Sequence, residues 1–196
     1  MTFPLISFLA FAIAASVTPG PNNVMVAAAA ASHGVRAVVP QILGISFGFG
    51  AMIVIVGLGL AVPLATSPHL ATAMRWIGAA WLAVLAWKIA TAPPPGEATG
   101  RPPLRFLGGA MFQWINPKAW MLALGIATTW TAADAALAPQ VALMGAIFTA
   151  VGIPNGLLWG TLGERIGRLL RSPARLRGFN VAMALLLLAS MVPVLL

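Results

Sequence analysis

The chain has 196 residues, 60% of them hydrophobic and only 7% charged, with a mean hydropathy of +0.96. A soluble domain carries about 25% charged residues, so the composition excludes a soluble globular domain and points to an integral membrane protein. Cysteine is absent, which excludes a disulfide framework and a thiolate metal site. The net charge of +8 concerns cytoplasmic loops and anionic lipid. The arginines are too few and too scattered to line a nucleic-acid groove.

A membrane span needs about 20 apolar residues, and six stretches reach that length. The first, Phe3 to Ala31, has no Lys or Arg before it, unlike a secretory signal, so it is expected to remain as an uncleaved span. It contains Thr18-Pro19-Gly20-Pro21-Asn22-Asn23. Two prolines remove two backbone donors and Gly20 adds backbone freedom, so the helix is expected to open there. Lipid cannot satisfy the freed groups. Broken backbone at membrane depth is tolerated only where it is buried in protein or lines a cavity.

The second span runs from Ala37 to Ala65 and the third from Leu70 to Ala90. Residues 91–103, rich in proline, are expected to form a cytoplasmic linker. The fourth span, Leu104 to Thr131, carries a second break at Asn116-Pro117-Lys118. The fifth, Leu137 to Leu162, holds Gly152, Gly156 and Gly160 four residues apart, as Gly44 and Gly48 are in the second. This spacing predicts close helix packing within one protomer, with a homodimer contact as the lesser alternative. Pro154-Asn155-Gly156 predicts a distortion of the fifth span. The sixth span is Phe179 to Leu196. Between the last two, Arg165, Arg168 and Arg171 alternate with Ile166, Leu169 and Leu170, which predicts a short amphipathic helix along the cytoplasmic surface.

Arg36, Lys88, Arg101, Arg105 and the five arginines of residues 163–178 fall on odd loops, against Arg75 alone on an even one. Positive charge stays inside, so the protein is expected to be multi-pass, with its odd loops cytoplasmic and both termini periplasmic. Trp76, Trp87, Trp130 and Trp159 fall near predicted span ends, where indoles anchor at the interface, while Trp81, Trp114 and Trp120 lie deeper. Trp114 and Trp120 flank the second break and are candidates for a cavity wall, with plain helix packing an equal alternative.

The two breaks lie half a chain apart: Pro117 follows Pro19 by 98 residues and Pro21 by 96. Each half, about 1–97 and 104–196, has three spans. Three is odd, so the second half enters the membrane from the opposite side, the arrangement of an inverted repeat. The expected fold is thus one all-α transport domain of six transmembrane helices in two inverted three-helix halves, the first and fourth helices broken. Discontinuous helices at corresponding positions point to a transporter's site. Thr18 before Pro19 and Asn116 before Pro117 both look like a polar cap followed by proline at the first helical position. Two half-helix N-termini facing inward favour a carboxylate, and Asn22, Asn23 and Asn116 add amide groups for an amine or hydroxyl. Lys118 is the one charge deep in a span. Such a charge is costly and a functional candidate by default, with holding the break open as its structural alternative.

The order TPGPNN in the first span, GISFGFG in the second, MRWIGAAWLAVLAWK in the third and INPKAW in the fourth resembles the lysine-exporter (LysE/RhtB) translocator family. The resemblance implies a six-span inner-membrane exporter of amino acids or close derivatives, driven by the proton gradient. It carries the family's first motif onto Thr18, Pro19, Gly20, Pro21, Asn22 and Asn23, and its second onto Asn116, Pro117 and Lys118. One departure is visible. Many members carry an acid after the glycines of the second span, whereas Gly44 to Ala51 has none here. The chain's three acids, Glu97, Asp134 and Glu164, and its histidines, His33 and His69, all map to loops or span ends. A neutral zwitterionic substrate is therefore expected rather than lysine or arginine. Proton antiport is what the resemblance implies, and a passive facilitator or pore for zwitterionic solutes is the alternative. The two histidines lie on different loops, so no enzyme, metal site or cofactor is expected.

Overall fold

The computed structural model describes residues 4–60, 67–91, 102–132, 135–170, 172–190 and 192. Among them every regular element is helical. The expected linker at 91–103 lies almost wholly outside the described residues, as do Glu97, Arg101, Asp134 and Arg171.

The first span is two helices, α1 (Leu5–Val17) and α2 (Pro21–His33), bent by 50° at the break. Their junction corrects one expectation. Thr18 is not the N-cap of the second half; it closes α1, its hydroxyl returning to the Ala14 carbonyl at 2.6 Å. The N-cap of α2 is Gly20, and Pro21 occupies the first turn. Gly20 is extended, with φ −174° and ψ 179°, so its freedom is not what the site uses. What it supplies is space: a methyl group there would sit 3.0 Å from both Cδ and Nζ of Lys118.

A single residue, Gly34 at φ 82°, turns the chain from α2 into α3 (Val35–Ile55), which widens into a π-helical turn at Val56–Leu60. α4 (Pro68–Ala90) follows. The fourth span is again divided, into α5 (Phe106–Phe112), a 3₁₀ turn (Gln113–Ile115) and α6 (Pro117–Thr129). α7 (Leu137–Leu169) is helical throughout, so Pro154 does not interrupt it. It also runs past the predicted end at Leu162 and absorbs Arg165 and Arg168, so the first part of the expected surface helix is a continuation of the fifth. α8 (Pro173–Ala189) takes up the rest, capped by the Ser172 hydroxyl.

α7 is the pillar of the molecule. Its glycines remove the side chains that would hold other helices away. A methyl group on Gly145 would meet Gly50, one on Gly156 would meet Ile42, and one on Gly163 or Gly167 would meet the α2 backbone at Ala27 or Ala31. α3 and α5 cross as closely, Gly44 against the Phe106 backbone and Gly48 against Ala110. Two apolar clusters result. One gathers Val24, Ile42, Leu82, Phe112 and Leu187; the other gathers Phe8, Met52, Ile126, Met144 and Phe148.

The tryptophans divide differently from their predicted depths. Trp76 and Trp87 are exposed, as interfacial anchors would be, and so is Trp81. Trp130 instead packs edge-on to Phe8 at 5.0 Å and stacks on Phe11 at 5.5 Å. Trp159 buries its indole nitrogen, and the helix that carries it continues ten residues beyond it.

By length and apolarity, Val35–Gly59 and Leu137–Leu169 are long enough to cross a membrane, and α1 with α2 makes a third span if the bent pair is one crossing. Trp76–Ala90 and Phe106–Ile115 are shorter apolar helices.

Candidate functional site

A cavity of about 70 Å³ lies between the two apolar clusters, with Ile42 and Ile45 on one side and Phe49 and Phe148 on the other. One water needs about 10–15 Å³ at the least, so the cavity has room for a few waters or a comparably small part of a solute. Its polar wall is built from both breaks. Thr18, Gly20, Pro21, Asn22 and Asn23 come from the first, and Asn116 and Lys118 from the second. Pro19 and Pro117 shape the backbone but do not line it. Neither do Trp114 and Trp120. The Trp120 indole donates to the Trp114 carbonyl at 2.9 Å, and both rings pack against the second apolar cluster.

The second break is fixed by a run of amides with a backbone group at each end. Asn116 caps α6 by accepting the Lys118 backbone N–H at 3.1 Å. That turns its NH₂ toward Asn22 Oδ1, 3.2 Å away. Asn22 Nδ2 then donates to Gln113 Oε1 at 3.0 Å, and Gln113 Nε2 donates to Asn22 Oδ1 at 3.2 Å and to the Gly109 carbonyl at 3.1 Å. Gln113 is fully buried and Asn116 is 2% exposed. A buried amide left without partners costs about 1–3 kcal/mol, so the run ties the two breaks firmly together.

The first break is held from inside. Asn23 Nδ2 donates to the carbonyls of Ser16 at 2.7 Å and Thr18 at 3.1 Å, at the end of α1 where helical partners run out. Asn155 of α7 donates to Asn23 Oδ1 at 2.9 Å. The Lys118 ammonium reaches across to the Thr18 carbonyl at 3.2 Å. One bond leaves two of its three N–H donors for a ligand.

The two helix starts are not equivalent. α6 is capped by its own Asn116, whereas α2 has no side-chain cap and carries the Lys118 ammonium beside Gly20. Positive potential is thus concentrated at the start of α2.

Polar residues of the site not singled out for it in the sequence are Gln113, which braces Asn22, and the lining residues Asn155, Ser16 and Ser46. Gln113 had a readable signal, as a lone amide in an apolar span three residues before Asn116. Asn155 was read only as part of a distortion. Ser46 stands in the wall where an acid was missing from the second span, its hydroxyl bonded back to the Ile42 carbonyl at 2.9 Å. The described acid, Glu164, lies away from the cavity and pairs with Arg168 at 2.7 Å. No group of His, Cys, Asp or Glu among the described residues is arranged to hold a metal ion.

The sequence matches the family model described as LysE type translocator over residues 13–194. A cysteine/O-acetylserine efflux protein of Escherichia coli (strain K12) is 29% identical over 189 residues, 95% of each chain. One from Escherichia coli O139:H28 (strain E24377A / ETEC) is 29% identical over 190 residues, 96% of each chain. Another, from Shigella flexneri serotype 5b (strain 8401), is 28% identical over 184 residues, 93% of each chain. No solved structure matches the chain.

Proposed function

The chain belongs to the LysE type translocator family, a family of transporters and not of enzymes, and from that premise we propose that it exports small neutral amino acids or their derivatives across the bacterial inner membrane by proton antiport. The observation that carries the reading is the cavity where the two breaks meet, with the Lys118 ammonium 3.2 Å from the Thr18 carbonyl. The uncapped start of α2 and the free N–H donors of Lys118 receive the substrate carboxylate. Thr18, Gly20, Asn22, Asn23 and Asn116 shape the pocket around it, and Pro19, Pro21 and Pro117 hold the backbone open. The relatives' names make cysteine and O-acetylserine the first substrates to try.

The reading includes a layout of six spans in two inverted halves, about 1–97 and 104–196, with a cytoplasmic linker at 91–103 and both termini periplasmic. The matching helix breaks of the first and fourth spans support it.

A specific observation favours a second reading, a passive facilitator: among the described residues no acid and no histidine lines the cavity, so none of the described lining side chains is an evident proton carrier. One experiment separates the two. The purified protein is placed in liposomes under an imposed pH gradient with labelled cysteine, O-acetylserine and serine. Uphill movement that collapses with a protonophore is the expected result. Flux that only runs downhill selects the facilitator, and no flux of any amino acid overturns both.

A further inference from the structure

We propose that Asn155 recognises the substrate's amino group, its Oδ1 accepting an ammonium N–H while Lys118 holds the carboxylate. The proposal rests on the exporter reading above and deepens it.

The argument follows from which way each amide must face. Asn23 donates to two backbone carbonyls, Ser16 and Thr18, and only an NH₂ can do that. Its Oδ1 therefore points the other way and takes a hydrogen bond from Asn155 Nδ2 at 2.9 Å. Asn155 is thereby turned with its NH₂ toward Asn23. Its Oδ1 is left buried, with no partner among the described residues.

The other amide oxygens of the cavity wall are occupied. That of Asn23 is taken by Asn155, that of Asn22 by Gln113 and Asn116, and that of Asn116 by the Lys118 backbone. Among the amides that line the cavity, Asn155 is thus the one whose oxygen has no donor among the described residues. That oxygen is closed off as the side chain stands, so an occupant reaches it by a turn of the side chain, and the described lining contains no carboxylate. A buried acceptor without a donor is unfavourable, and an occupant that supplies one restores the loss. Lys118 contributes donors and positive charge to the same cavity, so the wall offers one group for each end of a zwitterion. The acceptor is neutral. It takes one ammonium without neutralising a second positive charge, which sets the substrate class as monoamino, monocarboxylic and without a cationic side chain.

The test measures efflux from liposomes containing the full-length protein. Serine, cysteine and O-acetylserine are each compared with the analogue lacking the amino group: 3-hydroxypropionate, 3-mercaptopropionate and 3-acetoxypropionate. The wild-type protein is expected to prefer the amino acid by about tenfold or more, as sites built to hydrogen-bond a group reject analogues that lack it. Asn155→Ala and Asn155→Leu both remove the oxygen, one leaving space and the other filling it. Either folded variant is expected to bring the ratio close to one by slowing the amino acid and not its analogue. A wild-type protein that moves both members of a pair equally well overturns the proposal without any variant. So does an unchanged ratio in a folded Asn155 variant, and in both cases the exporter reading stands. No efflux of any amino acid by the wild-type protein overturns the exporter reading and this inference together.

Discussion

The Lys118 ammonium lies 3.2 Å from the carbonyl oxygen of Thr18, a residue one hundred positions earlier in the chain. The same carbonyl accepts the Asn23 amide at 3.1 Å. One backbone oxygen at the end of α1 thus receives a side chain from each break. Removing Lys118 leaves that oxygen one donor, so the fold is expected to survive the loss of the charge.

Lys118→Met is therefore expected to lose transport by about tenfold to a hundredfold, the loss expected of a charged hydrogen bond, while the protein still elutes as one folded species. Proteoliposome efflux and size-exclusion profiles in detergent check this together. Full activity in the folded variant removes Lys118 from the substrate site.

Gly20→Ala and Gly34→Ala separate space from conformation. At Gly20 the backbone suits any residue, and the added carbon's nearest neighbours are the flexible end of Lys118, at 3.0 Å. Stability should hold while transport falls by up to about a hundredfold, since a displacement of about 1 Å at a site is that costly. At Gly34, with φ 82° and ψ 158°, a backbone region almost confined to glycine, alanine strains the backbone by about 1–3 kcal/mol. That variant should melt earlier and still transport normally per folded molecule. Equal effects of the two changes on melting and transport would contradict this division.

Gly44→Ala directs its new carbon into the Phe106 backbone, which cannot swing aside as a lysine tip can. Overpacking of this kind costs about 1–3 kcal/mol, so the melting temperature in detergent should drop by several degrees, at about 2–4 °C per kcal/mol. An unchanged melting curve argues against the close crossing of α3 and α5.

The proposed topology places Leu196 in the periplasm. A reporter that matures only after export, fused at Leu196, is expected to be active, and one that works only in the cytoplasm is expected to be silent. The opposite pattern overturns the orientation read from the arginines.

Much of this arrangement was legible because proline in an apolar run has few structural meanings. The start of α6 could be read in full, since Asn116 before Pro117 is a cap followed by a first-turn proline. The first break was legible in kind but not in register. A residue before proline is pushed out of the helical region, which bars Thr18 and Gly20 alike; the later of the two, Gly20, therefore becomes the cap. α7 outran its predicted end because hydropathy marks where the bilayer stops, and a helix can continue into water beyond it. The partners of Asn22 and Asn23 were not legible. Gln113 and Asn155 reach them from 91 and 132 residues away, and a sequence pattern carries no record of which buried amides face each other.

The two halves of the first span are anchored unequally. α2 lies backbone to backbone on Gly163 and Gly167 of α7, and one residue, Gly34, tethers it to α3. α1 is joined to α2 through the extended residues 18–20 and packs chiefly on α7 through side chains such as Phe8 and Phe11 against Phe148. Sliding α2 would tear open close-packed backbone at several points, while turning α1 exchanges one set of aromatic contacts for another. The bend thus joins an arm seated backbone to backbone, α2, to one held chiefly by side chains, α1. A carrier that must face each side of the membrane in turn has its lighter lever in α1, and the carbonyl at the tip of that lever is the one that Lys118 holds.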